Sequence, residues 1–343
     1  DTLNSSELQF GFKSGVGCRD AIFTARTVSD YFVERGSTVN LCALDLSKAF
    51  DKVDHFILFK KLLDRNVPRC IVQLLVNWYS KCSVRVKWCD ELSDEFAVCS
   101  GVRQGGVLSP ILFAVYIDDL INKLRNSGRG SRINGVFLGC IVYADDILLI
   151  SNSFQDMQCM LDICFKEALF LGMSFNVKKS FYIRCGVRSK FVCTALRLGS
   201  DVINNVDCIS YLGVVFKSGF SLKCDFSQVK GSFYRAFNAI YSKCSNSDNE
   251  LTAVFLLKSF CLPILSYALE SLILNRGTFK LLQSAVDNAV SKIFKVFSTD
   301  SIREIRSNVG LLDVEYLYYK ALCKFLGGYN KSKLSFANLI VDL

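Results

Sequence analysis

The spacing of apolar and polar residues divides the chain into a mixed part and a helix-only part. Up to about residue 216, short apolar runs of strand length alternate with apolar residues at helical spacing, and only helical spacing follows. We therefore predict an α+β fold with a domain boundary near residue 218. The first domain is predicted at 1–217, and an all-helical domain at 218–343.

Several predicted helices show one apolar side, which we expect to face the core. The helix that follows the sequence GVRQGGVLSP has the clearest start, with Ser109 as N-cap and Pro110 in the first turn. The predicted apolar faces, in chain order, are Phe56, Phe59 and Leu63; Ile71, Leu74, Leu75 and Trp78; and Phe113, Ile117, Leu120, Ile121 and Leu124.

One apolar segment, residues 252–274, is long enough to cross a membrane. Lys258, Pro263 and Glu270 interrupt it, which is costly in a lipid environment. We interpret it as a buried helix pair broken at Pro263. The alternative, a membrane-anchored protein built around this segment, is disfavoured, and no membrane partner is predicted.

Composition narrows the function classes only moderately. The chain has 343 residues and a net charge of +9, which permits a nucleic-acid partner without requiring one. The sequence contains 16 cysteines but no Cys-x-x-Cys pair, and His55 is its single histidine, so zinc-finger patterns are absent. Reduced thiols and the lack of a signal-peptide pattern predict an intracellular protein of the nucleus or cytoplasm.

Two adjacent aspartates interrupt the apolar run VYADDILLI at residues 142–150. Asp145 and Asp146 occupy a predicted tight turn between strands, and Asp45 ends the predicted strand VNLCALD. If these strands are neighbours, three carboxylates converge at one sheet edge. Such oxygen ligands suit Mg²⁺, and a pair of ions would support phosphoryl transfer. The alternative is a solvated hairpin tip, since two aspartates are ordinary in a turn.

Two further motifs carry candidate substrate contacts. In DLSKAFDKVDH (45–55), Phe50 is placed to lie beneath an incoming sugar, although it is equally suited to the core; Asp54 is interpreted as a helix N-cap. In GVRQGGVLSP (101–110), the glycines allow close approach of a ligand to the backbone. Arg103, Gln104 and Gly105 are the candidate contacts there, the alternative being a capped glycine loop.

Together these motifs resemble those of reverse transcriptases, most closely those of non-LTR (LINE-type) retrotransposons. The resemblance covers about residues 7–216 in six ordered blocks. QFGFKSG (9–15) is similar to a fingers block, and GMSFNVKKS (172–180) to the block that follows the double aspartate. YLGV (211–214) resembles the primer grip. The helices beyond 218 resemble the thumb and its extension only loosely.

The resemblance implies a right-hand polymerase with an antiparallel-sheet palm, partial fingers, and an all-helical thumb with a C-terminal extension. It implies that Asp45, Asp145 and Asp146 hold two Mg²⁺ ions, with Mn²⁺ as a substitute. The remaining roles it implies are these: Phe50 as the steric gate against ribonucleotides; Arg103, Gln104, Gly105, Tyr143 and Ala144 in substrate binding; Lys179 as proton donor to pyrophosphate; and Tyr211, Leu212 and Gly213 in the primer grip. For Lys179 a plain surface lysine, and for the grip a plain strand with a glycine, remain alternatives.

The implied function is RNA-directed DNA synthesis, with an RNA template, a DNA primer and deoxynucleoside triphosphates as partners. The family's upstream fingers block, which resembles RPISL, and its endonuclease precede these motifs and are not in the sequence. We therefore expect an N-terminally truncated product. The alternative is a truncated, inactive remnant that binds nucleic acid. The sequence leaves the oligomeric state open.

Overall fold

The computed structural model describes residues 3–191, 193–244, 249–332 and 334–343. The α-helices are α1 (Cys18–Glu34), α2 (His55–Asp64), α3 (Arg69–Tyr79), α4 (Ser109–Asn126), α5 (Phe154–Phe170), α6 (Ser227–Cys244), α7 (Glu250–Leu256), α8 (Leu262–Ser266), α9 (Arg276–Phe294), α10 (Thr299–Asn308), α11 (Val314–Tyr329) and α12 (Ala337–Val341). Short 3₁₀ helices lie at Ala49–Lys52, Val177–Lys179 and Leu269–Ser271, and a π-helical turn lies at Leu257–Cys261.

The strands are short, as expected for an α+β fold. They are β1 (Val39–Asp45), β2 (Ser83–Val84), β3 (Lys87–Trp88), β4 (Glu91–Leu92), β5 (Phe96–Ala97), β6 (Arg132–Ile133), β7 (Val136–Phe137), β8 (Cys140–Tyr143), β9 (Asp146–Ser151), β10 (Phe181–Cys185), β11 (Leu196–Leu198), β12 (Asp201–Asn205), β13 (Cys208–Tyr211), β14 (Val214–Lys217) and β15 (Lys223–Asp225).

The largest sheet of the described residues corresponds to the predicted palm. Its strand order is β11-β12-β10-β1-β9-β8, and β1 pairs antiparallel with both β9 and β10. The β8–β9 and β11–β12 pairs are also antiparallel, while β10 and β12 run parallel. The predicted α+β class and the antiparallel palm are confirmed, with that one parallel pair as a detail that the sequence pattern did not show.

Strands β1, β8 and β9 are buried because both faces of the sheet are covered. Side chains alternate between the two faces along a strand. Cys42 and Cys140 point to the face covered by α5, where they surround Cys164, and burial raises the pKa of that thiol well above its usual value. Ala43 and Tyr143 point to the opposite face of the sheet. Helix α1 packs against this face.

The buried sides of α2 and α3 differ from the predicted ones. In α2, Leu58 and Leu62 are buried while Phe56 is 78% exposed, so the predicted face is wrong there. In α3, Val72 and Leu75 are buried. Both helices carry apolar residues on more than one side, so periodicity alone does not choose between them. The predicted core residues that are exposed instead are Phe56, Leu63, Ile71, Leu74 and Trp78.

The helices after residue 218 are divided between two hydrophobic cores. Helices α6, α7 and α9 build a second core of their own, around Phe233, Leu257 and Leu282. Helix α11 connects the cores: its Tyr318 lies in the second core, whereas its Tyr329 packs in the palm core. The part after residue 218 is not all-helical as predicted, because β15 pairs with β14 there. The boundary at 217/218 remains a prediction, since the C-terminal residues return to the palm.

The segment considered for a membrane lies in a helical stretch of the second core. Glu250–Ser271 is the stretch of the described residues that is long and apolar enough to span a bilayer, which alone is weak evidence because core helices pass the same test. Ala253, Val254, Leu257 and Leu265 are buried against the second core. A π-helical turn precedes Pro263, so the stretch bulges there rather than breaking.

We expect Phe336→Ala to destabilise the palm. Phe336 is 3% exposed, and its ring centroid lies 6.3 Å from that of Phe10 in the N-terminal segment. Removing a buried phenyl ring costs about 3–5 kcal/mol of unfolding free energy, which urea denaturation would measure. The matched control is Phe297→Ala, whose ring is 89% exposed and whose loss should change stability by less than about 0.5 kcal/mol. Equal effects of the two substitutions would show that the C-terminal residues do not stabilise the palm.

Candidate active site

The pairing of β1 with β9 brings the predicted carboxylates together. Asp45, the last residue of β1, lies directly opposite Asp146, the first residue of β9. Tyr143 at the end of β8 also lies opposite Asp146. Directly opposed residues point to the same face of an antiparallel pair, so these three side chains share one face at one edge of the palm.

Asp145 lies in the two-residue turn that joins β8 to β9. Ala144, the first turn residue, has a φ of 57°, a left-handed conformation that is strained for alanine. The side chain of Gln9 supports the turn, because its Oε1 accepts the amide N–H of Ala144 at 3.1 Å and that of Gly11 at 3.0 Å. Gln9 is fully buried, so the N-terminal segment fixes the position of this turn.

The three carboxylates form a region of uncompensated negative charge. Burial, followed by the neighbouring charges of Asp145 and Asp45, raises the pKa of Asp146 to about 6. None of the three takes part in an ion pair with a basic residue of the described segments. Across the same segments, no three Asp, Glu, His or Cys side chains are close enough to hold an ion as they are placed. The set therefore fits a divalent cation by donor type and charge, without being arranged around one point.

The segment after α5 forms hydrogen bonds with the backbone of Asp45. The amide of Asp45 donates to Oγ of Ser180 at 3.2 Å, and its carbonyl accepts the amide of Asn176 at 2.8 Å. Lys179 follows on the same loop with an exposed side chain. Together with Ala43 it lines a cleft of about 370 Å³. Since Ala43 and Asp45 are two residues apart on one strand, Lys179 lies on the side of the sheet that carries the carboxylates.

Phe50 is held in place by aromatic packing. Its ring stacks on that of Phe113 with centroids 4.5 Å apart, and the edge of Phe12 meets it at 6.2 Å. Phe50 remains half-buried, so part of the ring is accessible on the side away from α4. Asp54 accepts the amide of Ile57 at 2.9 Å, which confirms that it is the N-cap of α2.

The glycine loop at 101–106 packs against the short 3₁₀ helix that carries Phe50. Gln104 Nε2 donates to Oδ1 of Asp51 at 3.1 Å, which ties the loop to this helix. Arg103, Gln104 and Gly105 are exposed, and the first two line a cleft of about 770 Å³ with Asp51. The prediction of Ser109 as N-cap is wrong: the N-cap of α4 is Leu108, and Ser109 is the first helical residue, with its hydroxyl bonded to the carbonyl of Arg103.

The predicted primer grip is a second tight hairpin. Leu212 and Gly213 have φ values of 48° and 79°, and they join β13 to β14 in a two-residue turn. Tyr211 is buried and donates its hydroxyl to the carbonyl of Ile141 at 3.2 Å, which fastens the hairpin to β8. Only Leu212 and Gly213 are therefore accessible at the tip, and their contact with a primer stays a prediction.

Tyr267 connects the grip hairpin to the helical part of the chain. Its hydroxyl donates to the carbonyl of Leu212 at 3.0 Å, and its ring lies against Gly213. Burial and a hydrogen bond with Cys18 raise the pKa of Tyr267 to about 12; the same thiol and burial raise the pKa of Tyr143 to about 12. Cys18 of α1 thus lies between Tyr143, at the end of β8, and Tyr267, which contacts the predicted grip.

Three residues of the site were not predicted from the sequence. They are Gln9, which supports the double-aspartate turn, Asp51, which holds Gln104, and Tyr267, which covers the grip. A glutamine between the apolar residues Leu8 and Phe10 was the available signal for Gln9. No local sequence signal marks Tyr267, because Leu212, which accepts its hydrogen bond, lies 55 residues away along the chain.

We expect Gly213→Ala to destabilise the grip more than a glycine substitution in open space. A Cβ at Gly213 would lie 3.2 Å from the Tyr267 ring, in addition to the left-handed strain of about 1–2 kcal/mol. Gly15 has a similar φ of 80°, and no atom lies within 4 Å of the position that a Cβ would take there, so Gly15→Ala isolates the strain. Urea denaturation should show the larger loss for Gly213→Ala, and adding Tyr267→Ala should remove the difference. Equal losses in the single variants would exclude close packing at the grip.

The sequence comparisons agree with the arrangement of these motifs. The family described as reverse transcriptase (RNA-dependent DNA polymerase) matches residues 2–216. The polyprotein of the retrotransposable element R2DM of Drosophila melanogaster is 26% identical over 232 residues, which cover 65% of this chain and 22% of that protein. An R2 polyprotein of Popillia japonica is 24% identical over 314 residues, covering 85% of this chain and 49% of its own length.

The chain thus spans less than half the length of these curated relatives. Among solved structures, telomerase from Candida albicans in complex with a fragment of telomeric RNA aligns with a TM-score of 0.47 at 12% identity, over 86% of this chain and 53% of the telomerase chain. The match of the family to residues 2–216, well over half of the chain, together with the ordered motifs, places the protein in the reverse transcriptase (RNA-dependent DNA polymerase) family.

Proposed function

We propose that this chain is the polymerase part of a retrotransposon product and adds deoxynucleotides to the 3′ end of a DNA primer on an RNA template. The observation that carries this proposal is the register that sets Asp45 opposite Asp146, with Asp145 in the adjoining turn. Burial, followed by the charge of Asp146, raises the pKa of Tyr211 at the base of the grip hairpin, and the carboxylates share the face that Lys179 borders. A primer end, a nucleotide and a catalytic group would meet on that face.

The proposed cofactor is Mg²⁺, two ions in all, with Mn²⁺ as a substitute. Asp45, Asp145 and Asp146 would hold them, because three carboxylates without a basic partner in the described segments offer the hard oxygen donors that Mg²⁺ prefers. When bound, the ions supply activation of the primer hydroxyl and stabilisation of the leaving oxygen. The chain's own contribution is to hold the three carboxylates on one face through the register and the Gln9 contact.

Phe50 and the 101–106 loop would select and orient the incoming nucleotide. The stack on Phe113 limits the movement of the Phe50 ring, so the ring can exclude a 2′-hydroxyl by contact. Gln104 is held by Asp51 at the mouth of the 770 Å³ cleft, and Arg103 adds a positive charge there that suits a phosphate. Tyr143 and Ala144 would contact the nucleotide or primer end from the catalytic hairpin.

Lys179 would act on the pyrophosphate leaving group, and the grip would hold the primer. Lys179, whose side chain is exposed, would donate a proton to the pyrophosphate leaving group. Leu212 and Gly213 would hold the primer backbone. Tyr211 attaches their hairpin to β8 through its hydrogen bond to Ile141. The proposed partners are therefore the RNA template, the DNA primer and deoxynucleoside triphosphates.

Primer extension on an RNA template with Mg²⁺ tests the proposal. We expect incorporation by the unmodified chain and background signal for Asp145→Asn or Asp146→Asn, since an amide is a weaker ligand and carries no charge. In the absence of metal, Asp146→Asn should not lower the unfolding free energy, because burial and two neighbouring carboxylates disfavour its charge.

The matched control is Asp54→Asn, which exchanges one helix cap for an equally good one and should leave extension unchanged. Equal extension by the unmodified chain and Asp145→Asn would refute the assignment of these carboxylates. Salt-dependent binding of an RNA·DNA duplex without any incorporation, in Mg²⁺ or Mn²⁺, would favour the alternative of an inactive nucleic-acid-binding remnant.

A second test addresses sugar selection. Phe50→Ala should increase the use of ribonucleotides relative to deoxynucleotides by about 10- to 200-fold, the range typical of a change in pocket shape. The ratio of kcat/KM for the two nucleotides measures this. Phe56→Ala removes a phenyl ring that is 78% exposed on α2 and should leave the ratio unchanged. An unaltered ratio in Phe50→Ala would mean that Phe50 serves only the aromatic stack.

A further inference from the structure

One buried arginine of the palm has no acidic partner among the described residues. Within the described segments, three cationic side chains are buried: Lys61, Arg184 and Arg306. Lys61 pairs with Asp119, and Arg306 pairs with two aspartates. Arg184 is only 6% exposed and forms no ion pair with any described residue. A buried charge is costly unless it is compensated, so an anion from outside the chain would complete this site.

Neutral groups hold the Arg184 guanidinium in a fixed position. Nε donates to Oδ1 of Asn40 at 3.2 Å, and Nη1 donates to the carbonyl of Phe191 at 2.6 Å and lies 3.0 Å from Sγ of Cys193. The guanidinium carbon lies 5.8 Å from the centroid of the Phe154 ring. The hydrogen bonds to described residues involve only Nε and Nη1, so Nη2 has no partner among them. The two N–H groups of Nη2, on a rigidly held cation, are therefore available for a ligand.

Arg184 lines a cleft of about 550 Å³ that offers further donors. Lys190 adds an exposed ammonium, and Ser189 and Ser218 contribute hydroxyl groups that bond to no group in the described part of the chain. Asp207 at the rim is the acidic residue of the lining, so the two cations leave a net positive charge. Arginine, lysine and hydroxyl donors together are typical of phosphate recognition.

The cleft is separate from the candidate active site. Arg184 lies opposite Asn40 in the β1–β10 register, five residues along β1 from Asp45. At the rise of a strand this is about 17 Å, and an odd number of residues places Arg184 on the opposite face of the sheet from Asp45. Neither the carboxylates nor the primer grip borders this cleft.

We propose that this cleft is a phosphate-binding site on the rear face of the palm. The phosphate is either a phosphodiester of a nucleic-acid strand passing behind the palm or a free phosphate group. Nη2 of Arg184 and the Lys190 ammonium supply the charge, and the two serine hydroxyls complete the donor set. Only the first source rests on the proposed polymerase function, because a free phosphate requires no nucleic acid and no catalysis.

Two probes test the site on the full chain without metal. The first is inorganic phosphate, titrated against chloride at matched ionic strength by isothermal calorimetry. The second is a labelled single-stranded thymidine oligonucleotide, whose binding is followed by fluorescence anisotropy at several salt concentrations. The test variants are Lys190→Gln and Arg184→Gln. The control is Arg188→Gln, which removes the same charge from a neighbouring residue that does not line the cleft.

We expect Lys190→Gln to weaken phosphate binding at least fivefold and Arg188→Gln to leave it unchanged. If the phosphate belongs to a nucleic-acid strand, Lys190→Gln also reduces the salt slope for the oligonucleotide by about 0.7, the contribution of one contact to a single strand. Phosphate binding without that change in slope would assign the site to a free phosphate.

No measurable phosphate binding by the unmodified chain, or equal losses in Lys190→Gln and Arg188→Gln, would overturn the proposal. If Arg184→Gln fails to fold, Lys190→Gln still tests the site. Its substitution should not affect folding, because the Lys190 side chain is exposed and makes no hydrogen bond with a described residue. Primer extension by the same protein is measured in parallel. Extension without phosphate binding refutes this site alone, and phosphate binding without extension refutes the polymerase proposal alone.

Discussion

The antiparallel pairing of β1 with β9 is the contact on which the candidate active site depends. It sets Asp45 against Asp146 and leaves Asp145 in the turn directly beside them. A slip of one residue would turn every side chain of a strand to the other face. Both faces of these strands are buried, so close packing opposes the slip: Leu41, Leu148 and Ile150 are fully buried and would exchange places with side chains of different size. Apolar packing thus keeps together three charges that repel one another.

The site has an energetic cost that the surrounding structure offsets. The ionised form of Asp146 is disfavoured by burial and by its two neighbours, and Ala144 adopts a left-handed conformation. Strain and charge of this kind persist only where other contacts fix the backbone. Here Gln9 fixes the turn, and Ser180 fixes the end of β1. Each of these two contacts joins residues 135 positions apart, so the local geometry of the site depends on the whole palm.

The helical part contributes to the palm as well as forming a core of its own. Tyr267 covers the grip hairpin, and α11 runs from the second core to the palm core. Phe336 then reaches Phe10, the neighbour of Gln9. Through these contacts the end of the chain is connected to the turn that carries the carboxylates. A division of the chain into a catalytic and an appended helical part would therefore separate residues that stabilise each other.

Much of the site was already present in short sequence patterns. The strand that ends at Asp45, the turn at Asp145, the N-cap at Asp54 and the order of the motifs each depend on residues within one segment, and the structure has the first three where the sequence predicts them. The family assignment is likewise carried by local motifs in a fixed order. The roles of Phe50, Gln104 and Lys179 remain proposals, since a side chain in the right place does not demonstrate its chemistry.

What the sequence did not determine is which surfaces meet across the fold. Helices α2 and α3 are apolar on more than one side, and only packing selected Leu58 and Leu62 over Phe56 for the core. Gln9, Tyr267 and Arg184 each form a hydrogen bond with a partner more than fifty residues away. Periodicity records which side of one helix or strand is apolar. It holds no information on contacts between distant segments, and those contacts were decided by the tertiary structure alone.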